Sequence, residues 1–353
     1  MLTEPAPYRD EHETSPDRLR RSGWVVMLEP ERRRWGGDLR RAQIFRQLVS
    51  RTQAMVIEGF TVRPLRQAFG PLAYVPLPLP TFRRGPRPRL ASSEQLRPDV
   101  VRAVRRLTVP VAVAVYDDPI AQTEALGIHL PPVRERYFRA RRRANLGAFK
   151  WHVVPSRSFA ELIGLDMTRV IVLGNGTDTE HIRPGEWPQE PAIGMVSGAA
   201  PGRGIETLIA AARLIRESVP DLRLLLWLVP TGEASEEYLV ALRQSVVGER
   251  WIQIGGVQYE DLRFALRQAT VLCIPHPAGD YMDVALPVKL YDSMAAGRPL
   301  VVTPRTETRA IVELHGAGVV SRGDGIDAID LVATDRTRAG QRATIGGVEL
   351  RLV

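Results

Sequence analysis

A glycine-rich turn between a predicted strand and a predicted helix offers anion-binding chemistry. The sequence SGAAPGRGIETLI follows an apolar strand at residues 193–196, and an amphipathic helix begins near Gly204. The first N–H groups of a helix lack intrahelical partners and carry its positive dipole end, so a phosphate fits there. Arg203 adds a guanidinium that can bind two phosphate oxygens. An ordinary turn with a solvent-exposed arginine is the alternative explanation of this pattern. A dinucleotide fingerprint is not indicated, because the glycines lack its spacing.

A second candidate group lies on a helix that Pro287 begins and Gly297 ends, in the sequence PVKLYDSMAAGRP. Lys289 and Asp292 are three residues apart, which places them on one helix face near its positive end. The ammonium would meet a phosphate, and the carboxylate would accept hydrogen bonds from ribose hydroxyls. A simple surface salt bridge is the alternative explanation.

Four motifs, taken in order, resemble the group 1 glycosyltransferases of GT-B fold. They are PS at 155–156, LGNGTD at 173–178 followed by RP at 183–184, PGRGIETLI at 201–209, and PVKLYDSMAAGRPLV at 287–301. In the N-terminal part the resemblance rests on WGGDLR at 35–40, where the family keeps a glycine-rich loop near the donor phosphates. We therefore expect an α/β protein with GT-B architecture, in which two Rossmann-like doubly wound domains face a central cleft.

The resemblance implies retaining transfer of a sugar, typically a hexose, from a nucleotide diphosphate sugar without a metal or other cofactor. By matching motif positions, Arg203 and Lys289 would neutralise the leaving diphosphate and are the candidate catalytic residues. The candidate donor-binding residues are Gly36, Gly37, Gly204, His276, Asp283 and Asp292, with Asp292 on the ribose and His276 on the donor sugar. The glycines let backbone approach the phosphates closely. The acceptor would be a glycan, a lipid-linked sugar or a small molecule.

Three positions depart from the family pattern and keep a second hypothesis open. Val284 stands where the family has the acidic partner of Asp292, and Asp283 lies one residue away from that position. Ala199 replaces an arginine, and Tyr116 stands where many members have a histidine. The alternative is therefore a catalytically degenerate GT-B protein that acts as a binding or scaffold subunit. An epimerase or phosphorylase on the same fold is a further enzymatic alternative.

Short apolar strands alternate with amphipathic helices along the chain, which is typical of parallel α/β units. Strands are predicted at 24–28, 54–57, 72–75, 111–116, 151–154 and 170–173 in the first half. Five parallel strands are predicted in the second half, at 193–196, 222–229, 251–254, 271–274 and 300–303. We expect a disordered leader at 1–22, an acceptor domain at 23–185, a nucleotide-sugar donor domain at 186–333 and an irregular tail at 334–353.

The composition is that of an ordinary globular protein, with 353 residues, 44% hydrophobic and 25% charged. No apolar run reaches the roughly 18 residues of a membrane span. Cys273, the single cysteine, lies in an apolar strand and is expected to be a packing residue. No histidine pair has metal-ligand spacing. We expect a cytoplasmic protein.

The net charge of +8 is concentrated in the first 190 residues. Nearly all basic residues are arginines, since Lys150 and Lys289 are the only lysines. The arginines at 139–143 and in the proline-rich loop at 83–89 suggest a peripheral contact with an anionic inner membrane face. Aromatic residues do not alternate with these arginines, so nucleic-acid binding is not expected.

Overall fold

The computed structural model describes residues 112–118, 129–230 and 233–324, the backbone of 342–345 and 348–351, and a few single positions between 105 and 124. These residues belong to two compact units. The first includes Ala140–Val154 and Asp166–Ile171, and the second includes Pro155–Leu165 and the described residues from Val172 onward, together with those of Tyr116–Arg139. The chain therefore passes between the units more than once.

A three-stranded sheet lies in the first unit, in the order β1-β2-β3. Its strands are β1 (Ala112–Ala114), β2 (Trp151–Val154) and β3 (Val170–Val172). Helix α1 (Pro132–Leu146) precedes β2, and helix α2 (Arg157–Leu162) follows it. Ser156 caps α2 by accepting a hydrogen bond from the Phe159 backbone N–H at 3.1 Å. The predicted strands at 24–28, 54–57 and 72–75 lie outside the described residues.

The second unit is built on a parallel sheet of six strands in the order β6-β5-β4-β7-β8-β9. The strands are β4 (Ala192–Gly198), β5 (Arg223–Val229), β6 (Ile252–Gly255), β7 (Val271–Ile274), β8 (Leu300–Val302) and β9 (Gly318–Val320). The helices are α3 (Ile205–Ser218), α4 (Glu233–Ser245), α5 (Tyr259–Arg267), α6 (Asp280–Val284), α7 (Val288–Ala295) and α8 (Thr306–His315). The sequence predicted five of these strands and missed β9, which contains only two apolar residues after a glycine.

Apolar side chains cover both faces of this sheet, which explains why its strands read as continuous apolar runs. One core packs α3 and α4 against the sheet, and the other packs α5, α7 and α8 against the opposite face. Within β7, Val271 and Cys273 face the first core while Leu272 and Ile274 face the second. Cys273 is a buried packing residue, as expected, and burial raises its pKa to about 12.

The strand order places a topological switch point between β4 and β7, because the chain moves outward from β4 to β6 and then returns to β7. In open parallel sheets, ligands bind beyond the carboxyl ends of the strands at this point. The segment from residue 334, which the sequence predicted to be irregular, contains β10 (Arg342–Ile345) paired antiparallel with β11 (Val348–Arg351).

Arg298 holds residues 185–187 in place within the second unit. It is 1% exposed, and its guanidinium donates to the carbonyls of Gly185 at 3.1 Å, Glu186 at 2.5 Å and Arg267 at 3.2 Å. The guanidinium also lies 4.9 Å from the centre of the Trp187 ring. Residues 185–187 are therefore held in place by one side chain.

We expect Arg298→Lys to lower the free energy of unfolding by about 2 to 3 kcal/mol, because one ammonium cannot reach three carbonyls and leaves buried acceptors unsatisfied. Urea denaturation measures the change. Arg309→Lys is the control, since Arg309 is an exposed residue paired with Glu313, and it should change stability by less than about 0.5 kcal/mol. Equal losses in both variants would contradict the role of Arg298.

Candidate functional site

The turn between β4 and α3 lies directly against the end of β7. Gly204, the residue before α3, has a left-handed backbone with φ of 75° and no side-chain cap. A Cβ atom at this position would lie 1.7 Å from the Pro275 carbonyl oxygen, so only glycine permits this approach. The N-terminus of α3, with its unpaired backbone N–H groups, therefore lies beside Pro275 and close to His276, the residues that follow β7.

Lys289 brings a second cation to this place from the first turn of α7. Its Nζ atom lies 3.4 Å from the Ser197 hydroxyl on β4. Burial of the ammonium, and then the charge of Arg203, lower the pKa of Lys289 to about 7. Among the residues the structure describes, no carboxylate forms an ion pair with Lys289 or Arg203, and the buried Arg203 Nε has no hydrogen-bond partner. Within the described part of the chain, two cations therefore lie close together without a counter-ion.

His276 follows β7 and is 2% exposed. Its carbonyl accepts a hydrogen bond from the Thr303 hydroxyl at 2.5 Å, but neither ring nitrogen has a partner within the described parts of the chain. Burial, followed by the charges of Lys289, Arg203 and Arg305, holds the pKa of His276 well below its usual range. The imidazole is therefore neutral and offers one donor and one acceptor.

Asp292 lies one turn further along α7 and has a different set of neighbours. It is 8% exposed and accepts a hydrogen bond from the Thr177 hydroxyl at 2.5 Å. Burial raises its pKa to about 6, opposed by the Thr177 hydrogen bond and by His181. His181 stacks on Tyr259 with 4.9 Å between ring centres, and its Nε2 lies 3.0 Å from the Tyr259 carbonyl oxygen.

Asp283 is held in an ion pair. Its carboxylate accepts a hydrogen bond from Arg305 at 2.8 Å, and Arg305 also pairs with Asp324. The Arg305 side chain is 7% exposed, while that of Asp283 is 39% exposed. The sequence predicted a donor contact for Asp283, and the structure adds that one of its oxygens already has a partner.

The structure thus brings together Arg203, Gly204, His276 and Lys289, with Asp292 beside them on α7. Gly36 and Gly37 lie outside the described residues. Sequence reasoning gave no role to Ser197, Thr177, His181 or Arg305. Thr177 lies within the GNGTD motif, which was the available signal for it, whereas His181 and Arg305 are isolated in sequence and only the fold reveals their neighbours.

In the described ranges, no cluster of three or more histidine, cysteine, aspartate or glutamate side chains has an arrangement that could hold a metal ion. The same ranges contain no helix that is both long and apolar enough to span a membrane.

Comparison with known proteins agrees with the fold. Residues 190–333 match the family model described as glycosyl transferases group 1. Sucrose-phosphate synthase from Thermosynechococcus elongatus superposes with a TM-score of 0.50 at 16% identity, over 65% of this chain and 58% of that one. HepE from Anabaena, solved in complex with UDP and glucose, gives a TM-score of 0.51 at 15% identity, over 65% and 62%. No curated protein sequence matches.

The described part therefore has the α/β fold with parallel sheets of the GT-B glycosyltransferases. Residues 190–333 are therefore similar to the group 1 glycosyltransferases, and the two solved structures compared are 16% and 15% identical to this chain. The chain spans about three fifths of the length of the two structures compared.

Proposed function

We propose that the protein is a retaining glycosyltransferase that uses a nucleotide diphosphate sugar as donor. The observation that carries this proposal is the meeting of Arg203 and Lys289 without a carboxylate partner in the described residues. A bound diphosphate would be the counter-ion of these two cations. The first turns of α3 and α7 add N–H donors at the same place, where neither helix has a side-chain cap.

The chemical role follows from where charge develops during the reaction. Departure of a nucleoside diphosphate places negative charge on the leaving oxygen, so cations already in position stabilise the transition state more than the ground state. Arg203 and Lys289 perform this task in the proposal. A retaining transfer on one sugar face needs no protein base, since the leaving phosphate accepts the proton of the acceptor hydroxyl. Neither a metal nor a cofactor is required in this scheme.

The remaining residues would position the donor. His276 is neutral, and neither ring nitrogen has a partner among the described residues, so it suits a sugar hydroxyl, which both donates and accepts hydrogen bonds. Asp292 suits the ribose hydroxyls, and the base would lie near Tyr259. Gly36 and Gly37 would approach the diphosphate with their backbone. Asp283, which already pairs with Arg305, would contact the donor through its exposed part.

The donor panel should begin with UDP, because HepE was solved with UDP and glucose. GDP, ADP and dTDP complete the panel, each tested by calorimetry with and without its common sugars. One nucleoside diphosphate is expected to bind selectively, and its sugar conjugate then enters a turnover assay with glycan, lipid-linked and small-molecule acceptors. Turnover with inversion at the anomeric carbon would refute the retaining mechanism.

Arg203→Ala is expected to weaken binding of the selected nucleoside diphosphate about 10- to 100-fold, because it removes a charge-assisted contact to phosphate. Isothermal titration calorimetry measures this change. Arg250→Ala is the matched control, since Arg250 is exposed in the loop before β6 and has no proposed role. Equal affinities of the two variants would show that the diphosphate does not bind at Arg203.

Asp292→Asn is expected to weaken binding of the nucleoside part of the ligand without weakening binding of the diphosphate part. The nucleoside diphosphate should bind about tenfold more weakly, while inorganic pyrophosphate should bind as it does to the wild type. Because the pKa of Asp292 is about 6, nucleoside affinity of the wild type should also fall as the pH drops below 6 and the carboxylate is protonated. Loss of pyrophosphate affinity in the variant would show that Asp292 acts on the whole site instead.

A scaffold role remains the alternative, favoured by the three departures from the family pattern. Ala199, where the family has an arginine, is 1% exposed and packs in the core. A protein of this kind would bind none of the four nucleoside diphosphates, or would bind one without turnover. In the second case Arg203→Ala would weaken nucleotide binding and leave association with a protein partner unchanged.

A further inference from the structure

The carboxylate nearest to Arg203 in the sequence does not pair with it. Glu206 is the second residue of α3 and follows Arg203 by three positions. A carboxylate in the first turn of a helix is stabilised by the free N–H groups there, and a nearby guanidinium attracts it further. Among the residues that the structure describes, however, the buried Arg203 Nε has no hydrogen-bond partner. Another group holds Glu206.

That group is the hydroxyl of Tyr238 on α4. It donates a hydrogen bond of 2.6 Å to Oε1 of Glu206, which lies 32 positions earlier in the chain. Tyr238 is half-buried, and its ring packs against the core between the sheet and the helices α3 and α4. Burial, and then the hydrogen bond to Glu206, raise the pKa of the Tyr238 phenol far above its usual value. The hydroxyl therefore keeps its proton and remains a donor.

We propose that Tyr238 keeps the candidate diphosphate site open by holding Glu206 away from Arg203. This role rests on the proposed function, because it concerns the same guanidinium and the same helix start. Without the Tyr238 hydroxyl, the Glu206 carboxylate would form an ion pair with Arg203 and supply the negative charge that a phosphate brings. Tyr238 is a positioning residue in this proposal, since it acts on the ligand through Glu206.

Release of Glu206 requires no rearrangement of the core. The Glu206 side chain is exposed, so rotation about its own bonds carries the carboxylate from Tyr238 toward Arg203. The new ion pair would form beside the free N–H groups of α3, which favour a negative charge. A diphosphate must then displace the carboxylate before it binds Arg203, and its affinity falls.

Tyr238→Phe tests the proposal, because it removes the hydroxyl and keeps the ring in the core. Calorimetry near neutral pH measures binding of two probes, inorganic pyrophosphate and UDP. We expect the variant to bind both about fivefold more weakly than the wild type. The double variant Tyr238→Phe, Glu206→Gln should regain at least the wild-type affinity, since a neutral amide does not neutralise Arg203. Lost packing alone would not be rescued in this way.

Tyr238→Phe, Glu237→Gln is the matched control for the rescue. Glu237 is exposed on α4 beside Tyr238, and its replacement removes the same charge without touching Glu206. This double variant should bind pyrophosphate as weakly as Tyr238→Phe. Equal affinities of wild type and Tyr238→Phe for pyrophosphate would overturn the proposal, as would a rescue by Glu237→Gln that equals the rescue by Glu206→Gln.

Nitrogen NMR of the Arg203 Nε–H group, assigned with Arg203→Ala, tests the same contact without a ligand. Its signal should shift in Tyr238→Phe, where the carboxylate pairs with the guanidinium, and return to the wild-type position when Glu206→Gln is added. An unshifted signal in Tyr238→Phe would overturn the proposal. If the wild type binds neither pyrophosphate nor UDP, the proposed function fails, and the Arg203 signal alone decides whether Tyr238 holds Glu206 away.

Discussion

Gly204→Ala is expected to lower the free energy of unfolding by more than about 4 kcal/mol, the largest stability effect of any substitution considered. Two costs add at this position. A left-handed backbone disfavours alanine by about 1 to 2 kcal/mol, and the new Cβ would lie 1.7 Å from the Pro275 carbonyl oxygen, so backbone must move. Clashes of this kind in packed regions cost a further several kcal/mol. Urea denaturation followed by circular dichroism measures the loss.

Gly248→Ala is the matched control for Gly204→Ala. Gly248 has a φ of 92° but no heavy atom within 4 Å of an added Cβ, so it isolates the backbone cost. We expect a loss of about 1 kcal/mol there. If Gly204→Ala gives too little folded protein for titration, relative soluble yield and melting temperature replace it. Similar losses in the two variants would mean that the turn before α3 does not press against Pro275.

Lys289→Met is expected to weaken binding of the selected nucleoside diphosphate about 50-fold at pH 6.5 and only a fewfold at pH 9. The pKa of Lys289 is about 7 in the empty site, and a bound diphosphate would raise it by favouring the charged form. At a pH between the pKa of Lys289 in the empty site and its raised pKa in the complex, binding takes up a proton. Wild-type affinity therefore falls as the pH rises above 7. The variant lacks this dependence. Lys150→Met, at the only other lysine, should bind like the wild type.

Calorimetry in two buffers of different ionisation enthalpy, such as Hepes and Tris, measures the proton uptake directly. At pH 8 the terminal phosphate, with a pKa of about 6, is already ionised and contributes little. Uptake close to one proton in the wild type and near zero in Lys289→Met is expected. Uptake that persists in Lys289→Met would assign the proton to another group.

The same substitution should stabilise the empty protein. A lysine whose pKa is about 7 when folded and about 10.5 when unfolded binds fewer protons in the folded state between those values. Wild-type stability therefore rises with pH across this window, and the cost of the charge is complete below pH 7. Lys289→Met should gain about 1 to 2 kcal/mol at pH 6.5, and little near pH 10. A loss of stability at pH 6.5 would show that the charge is compensated.

The second unit could be predicted well from the sequence, because local patterns determine its elements. Strand β7 has the predicted bounds, and the helices α3 and α7 begin one residue after the predicted starts at Gly204 and Pro287. Periodicity of apolar residues and helix-end residues such as Pro287 and Gly297 contain this information locally. Helix α8 was missed because no N-cap residue precedes it, and Arg305 stands at that position.

The candidate site was harder to predict, because its neighbours come from distant parts of the chain. Arg203 and Lys289 were identified from helix starts, which are local features. The hydrogen bond between Thr177 and Asp292 joins residues 115 positions apart, and Arg305 approaches Asp283 only through the crossing of α8 past α6. Likewise, periodicity identified no partner for Arg139, whose binding to Glu124 depends on how the chain folds before α1.

The choice of lysine at position 289 has a consequence for how product would leave the proposed site. Almost every other basic residue in the chain is arginine, which keeps its charge in any protein environment. An arginine here would hold a spent nucleoside diphosphate with undiminished attraction. A lysine with a pKa of about 7 returns its proton to water as the product departs, so part of the Coulomb work of separation is offset by deprotonation. On this basis, product release accelerates with rising pH.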